Sequence, residues 1–161
     1  MTLKEAINQE LTRLADAHPS PTAPRKVQVE YEGKQLECQI EALDRLGCAV
    51  EHVQVSSPVL AAASLVRLHE VSQALAAKLT YLLEPIAVIE TDQEEQSVQM
   101  RSSPPQREGR QSNYYELLAG RGRLELRRYC KEAGRSRTQV AAHLTREVLC
   151  RLAGDLAWAA T

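Results

Sequence analysis

The chain reads as one α+β domain, an antiparallel sheet of about six to seven strands with three helices, in the order helix, three strands, helix, four strands, helix. Three observations lead there. Apolar residues recur at three- and four-residue steps in three separate stretches, and between those stretches the apolar period falls to two. The period-two stretches come in pairs around short polar turns, as hairpins do. That pattern places helices on one face or end of an antiparallel sheet. At 161 residues, 43% of them hydrophobic, the chain is long enough to bury a core without disulfide or metal staples.

Thr2 and Glu5 have the spacing of a capping box, and Leu3, Ile7, Leu11 and Leu14 then form one apolar stripe, so a first helix is expected over 3–17. His18 and Pro19 begin its stop, and residues 19–25, with Pro19, Pro21 and Pro24, read as a stiff extended connector. Val27, Val29 and Tyr31, then Leu36, Cys38 and Ile40 beyond Gly33, alternate with polar residues and give the first hairpin. A third strand is expected over 48–55. There Cys48 and Val50 share one parity and Val53 and Val55 the other, which predicts a bulge near His52.

Ser57 followed by Pro58 is a helix start, because Pro at the first helical position loses an N–H that has no partner anyway. Leu65, Leu68, Val71, Leu75 and Leu79 supply the buried face of that second helix, which Pro85 must end. Residues 86–91 and 97–101 form a second hairpin, with Val98 and Met100 facing inward. Residues 102–112 lose all periodicity and read as a mobile loop. Tyr115 and Leu117, then Leu124 and Leu126, flank Gly120-Arg121-Gly122 as a third hairpin. Ser136 and Gln139 repeat the capping-box spacing ahead of Val140, Leu144, Val148, Leu152 and Leu156, the stripe of a third helix ending near Trp158.

The chain also hints at two strands-then-helix halves. His69–Leu79 (HEVSQALAAKL) matches Arg146–Leu156 (REVLCRLAGDL) at five positions in eleven, and each helix follows a Leu-Glu-containing strand, 36–38 and 124–126. Amphipathic helices of Leu, Ala and Glu also look alike without common descent.

Reactive groups are scattered. Cys48 and His52 are the nearest thiol and imidazole, but the bulge expected between their parities spoils the geometry a thiol and its base require. His143 and Cys150, two turns apart on the expected third helix, are too distant to act together. No two cysteines lie closer than ten residues, so no zinc site is expected, and no metal, cofactor or catalytic residue is assigned. The glutamates of the first hairpin, Glu30, Glu32, Glu37 and Glu41, read as a solvated sheet face.

Charge is the feature that stands out. Residues 1–100 carry 8 Lys and Arg against 15 Asp and Glu, whereas residues 101–151 carry 12 against 5. The densest part is a ribbon of Arg121, Arg123, Arg127, Arg128, Lys131, Arg135 and Arg137. Two uses are open: the ribbon pairs with the glutamates of the first hairpin, within one chain or across a dimer, or it binds an anion. Nucleic acid is the obvious anion, with Tyr114, Tyr115 and Tyr129 as stacking platforms, but a pI near 6.4 argues against a dedicated nucleic-acid binder.

The leading functional expectation is therefore a non-catalytic protein-interaction domain, homodimeric, offering a sheet face or edge to a protein partner or to itself. Its alternatives are anion or nucleic-acid binding through Arg121, Arg123, Arg127, Arg128, Arg135 and Arg137, and an enzyme whose site is assembled from distant residues. The element order resembles the type III secretion chaperone-like architecture, which has a leading helix, three strands, a helix, further strands and a final helix; the extra hairpin departs from it. The resemblance implies a bacterial adaptor or chaperone role. No signal-peptide pattern and no membrane-length apolar run are present, so the expected location is the cytoplasm, with four free thiols.

Overall fold

The computed structural model describes residues 1–17 and 25–161, so the connector expected at 19–25 lies, but for Arg25, outside the described residues. The fold is α+β with one antiparallel sheet. Its elements run α1 (Leu3–Asp16), β1 (Arg25–Tyr31), β2 (Lys34–Leu43), β3 (Gly47–Ser56), α2 (Pro58–Ala62), α3 (Leu65–Lys78), β4 (Ile86–Asp92), β5 (Ser97–Ser102), β6 (Gln106–Glu108), β7 (Gln111–Gly120), β8 (Arg123–Glu132), β9 (Thr138–Val140), β10 (Ala142–Thr145) and α4 (Arg146–Ala159).

The Thr2–Glu5 box forms as expected: the Thr2 amide donates to Glu5 Oε2 at 2.6 Å, and the Glu5 amide donates to Thr2 Oγ1 at 3.2 Å. Leu3, Ile7 and Leu11 then bury the inner face of α1, each contributing about 1.5–3 kcal/mol of apolar transfer. In the first hairpin Glu32 and Gly33 both have positive φ, the two-residue turn whose twist matches that of its strands. The bulge inferred from the parity switch is present, since Gln39 pairs with His52 but Ile40 with Val50, leaving Glu51 as the extra residue.

Three expectations need correction. The second helix is two helices: Ser57 caps α2 through the Leu60 amide, but the chain turns extended at Ala63 and Ser64 caps α3 through the Arg67 amide. The stretch 102–112 is not wholly irregular, because β6 folds back onto β7 with Arg107 opposite Ser112. The third helix does not start at Ser136. Thr138–Val140 and Ala142–Thr145 are short strands, and the cap is Thr145, whose Oγ1 accepts the Val148 amide at 3.0 Å. The four-residue stripe misled because Ala142 and Leu144, at a strand spacing of two, are also buried.

The main path of the sheet is β1-β2-β3-β8-β7-β5-β4. It reads outward from a central β3–β8 pair, joined at Val53–Leu126 to Ser56–Arg123. Beyond that pair the strands diverge, and β9 on β8 and β10 on β3 fill the gap. Three helices cover one face. α3, which follows the first three strands, packs on β4 and β5 of the second half, whereas α4, at the end of the second half, packs on β3 and α1 of the first. Aligned positions of the two matching helix segments are buried alike: Ser72 with Leu149, Leu75 with Leu152, Leu79 with Leu156. The strands that meet between the two halves are β3 and β8; of the two Leu-Glu segments, 36–38 lies on β2 and 124–126 on β8.

The core is aliphatic, with Leu117, Leu124, Leu126, Leu149, Leu152 and Leu156 among its fully enclosed side chains. Among the described residues the opposite sheet face has no helix packed on it, and it carries the alternate, mostly polar residues of the strands, with Leu118 exposed among them. No helix of the described residues is long and apolar enough to cross a membrane.

Candidate functional site

Strand parity divides the arginine ribbon. On β8 the core face takes Leu124, Leu126 and Arg128, so Arg123 and Arg127 point to the open face, and Arg137 reaches that face from the loop before β9. Arg121 sits in the β7–β8 turn with φ of 54°. Arg135 lies in the turn after β8.

Five of the six have an internal carboxylate partner. Arg121 meets Glu95 at 2.6 Å, Arg128 meets Glu84 at 2.9 Å, Arg135 meets Glu132 at 3.5 Å, Arg137 meets Glu116 at 2.5 Å, and Arg127 bonds Glu125. Arg123 has no carboxylate within 4.0 Å among the described residues. Within one chain the partners are therefore not the glutamates of the first hairpin, where they had been expected. Glu37 of that hairpin is held by Lys26 and His52, both at 3.3 Å. The reason is topological: β2 and β8 are separated by β3, so within one chain these charges are not neighbours. The pairs at Arg121 and Arg135 are mostly exposed and contribute little.

Three concavities among the described residues hold side chains singled out in the sequence. The first, about 530 Å³, is a shallow depression beside Cys48 and Leu144. Burial pushes the Cys48 thiol up to about 11, and the thiol donates to the Leu144 carbonyl at 3.6 Å, so it is held as a neutral donor. His52, in turn, is engaged with Glu37. His143 stands on β10 and Cys150 within α4, so the two do not share a helix.

The second, about 460 Å³, opens beyond the end of α3 and contains Glu84, Arg128, Tyr115 and His143. It has Glu84 and His143 in one lining, a juxtaposition that the spacing of residues in the chain does not reveal. Both Glu84 oxygens are already occupied. Oε1 accepts from the Ser102 hydroxyl at 2.7 Å and from Arg128 at 3.3 Å, and Oε2 accepts from Arg128 at 2.9 Å. The Arg128 guanidinium also lies over the Tyr115 ring at 4.3 Å. The arrangement clasps the 79–85 loop to the sheet and fixes the orientation of the Glu84 carboxylate.

The third, about 350 Å³, lies on the open face where Arg101 of β5, Tyr114 of β7, Lys131 of β8 and Arg137 meet. Among the described residues no three His, Cys, Asp or Glu side chains converge as metal ligands would.

The two outer strands differ. β4 is irregular, with Ile89 skipped between the Val88–Met100 and Glu90–Gln99 pairs, and such a bulge discourages further pairing. β1 runs in unbroken register with β2 from Arg25 to Tyr31 and has no strand on its outer side among the described residues. Compared with known proteins, the chain matches no family model, no curated protein and no solved structure.

Proposed function

We propose that this domain is a non-catalytic protein-interaction module, adaptor- or chaperone-like in role, that works as a homodimer joined edge to edge through β1. One observation carries the reading: β1, Arg25-Lys26-Val27-Gln28-Val29-Glu30-Tyr31, is complementary to its own reverse. An antiparallel pairing centred on Gln28 sets Lys26 opposite Glu30 on the open face, twice by symmetry. It sets Val27 opposite Val29 on the helix-covered face, and Arg25 opposite Tyr31. A two-fold axis normal to the sheet keeps the helices of both copies on one side, so register, facing and charge agree in a closed, isologous contact. Opposite charges directly across an antiparallel pair contribute about 0.2–1 kcal/mol each, and like charges there are unfavourable. The flat, unbulged edge of β1 supports the same reading, whereas the arginines, split between two faces and largely paired, do not make a continuous track for nucleic-acid phosphates.

Light scattering after size-exclusion chromatography tests it. The expected wild-type mass is twice 17.9 kDa at micromolar concentration. Lys26→Glu and Glu30→Lys alone shift the protein to monomer, and the double exchange restores the dimer. A monomeric wild type, or a double exchange that stays monomeric, overturns the proposal.

A further inference from the structure

At one end of the open face, three cations crowd around an aromatic floor. β5, β7 and β8 are in register there, with Arg101 opposite Glu116, Tyr114 opposite Tyr129 and Ser112 opposite Lys131. The Tyr114 and Tyr129 rings lie 5.9 Å apart; the Arg101 guanidinium sits over the first at 4.7 Å and that of Arg137 over the second at 3.9 Å. Stacking fixes the guanidinium planes, as a bidentate oxyanion site requires. Both arginines share one carboxylate, Glu116, at 3.1 Å and 2.5 Å. The Lys131 ammonium rests on the main-chain carbonyls of Glu132 and Arg135, with no carboxylate within 4.0 Å among the described residues. Arg101 Nε is buried without a hydrogen-bond partner, an arrangement that is costly for a cation's donor until an acceptor reaches it.

Three cations against one carboxylate leave two positive charges in a cleft of about 350 Å³, with the Ser112 hydroxyl at its wall. We propose that this cleft is a binding site for a phosphate monoester. A monoester carries about −1.5 to −2 charge at pH 7 and three acceptor oxygens, which matches the excess; a carboxylate would neutralise half of it. The site lies on β5, β7 and β8, away from the β1 edge, and does not depend on dimerisation.

Calorimetric titration with phenyl phosphate, and with benzoate as the monoanion of the same ring, tests it. Saturable binding of phenyl phosphate with Kd of about 1 mM or tighter is expected, at least tenfold tighter than benzoate. Arg137→Ala and Lys131→Ala should each weaken it at least fivefold. Arg121→Ala, at the opposite end of the hairpin and roughly 23 Å from Tyr114 along the strand, should leave it unchanged. Near-ultraviolet circular dichroism confirms folding, and Lys131→Ala, which breaks no ion pair, carries the test if Arg137→Ala unfolds. A short phosphotyrosine peptide in the same titration distinguishes the source: tighter binding than phenyl phosphate points to a modified protein segment, and equal binding points to a small ester. Absent saturation, equal affinity for benzoate, or an equal loss in Arg121→Ala overturns the site.

Discussion

Glu84 and Arg128, 44 positions apart in the chain, form a two-point ion pair at 2.9 and 3.3 Å whose side chains are only 9% and 11% exposed. The pair joins the loop after α3 to the far part of β8, and Ser102 brings β5 into the contact by donating to Glu84 while accepting the Tyr115 amide at 2.8 Å. Removing one partner strands the other charge in a poorly solvated place. Arg128→Ala is expected to cost about 3 kcal/mol, lowering Tm by roughly 10 °C for a domain of this size. The double replacement Glu84→Leu with Arg128→Met should cost less than either single truncation, and thermal melts of the three variants check the order.

Two glycines share one backbone conformation but not one environment. Gly33 has φ of +75° with nothing within 4 Å of a would-be Cβ; Gly122 has φ of +76°, and its Cβ would meet the Ala61 Cβ at 3.2 Å. Gly33→Ala therefore reports the left-handed conformation alone, about 1 kcal/mol. Gly122→Ala adds the crowding against α2 and should cost more, about 2 kcal/mol. Urea denaturation of both isolates the packing contribution as their difference.

On the open face, Glu37 carries a pH dependence. Burial works to raise its pKa, but hydrogen bonds from His52, Lys26 and Gln28 outweigh that and hold it below the ordinary 4.5. A carboxylate lowered on folding stabilises the fold above its unfolded pKa and loses that contribution as pH falls through the folded value. Wild-type stability should thus decline below about pH 4.5, and Glu37→Gln should show a shallower decline over the same range. Equal slopes in urea midpoints at successive pH values would refute the assignment.

Much of the fold could be read from the chain because local chemistry and tertiary structure agree there. Thr2 with Glu5, Ser57 with Pro58, and the parity switch between Val50 and Val53 each announce a cap or bulge that the coordinates contain. Other positions were hidden by ambiguity. Ser64 follows three alanines that continue a helix equally well, and its cap declares itself only where Ala63 turns extended. Val140 and Leu144 fit a helical spacing as well as two short strands, and the choice is made by the gap between β3 and β8, which exists only in three dimensions. The same holds for the charges. The arginines were visible as a run, but Glu84, Glu95 and Glu116 come from other elements, and no spacing rule brings them to Arg128, Arg121 and Arg137. Arg101 and Tyr114 joined the basic cleft for the same reason, through the β5–β7 register.

The exchange of helical cover between the halves has a consequence for how the domain comes apart. A half that formed alone would leave part of its greasy strands bare, since α3 shields β4 and β5 and α4 shields β3 across the halves. Partly ordered species are thereby penalised, and melting should proceed in one all-or-none step, with far-ultraviolet dichroism and Trp158 fluorescence tracing superimposable curves.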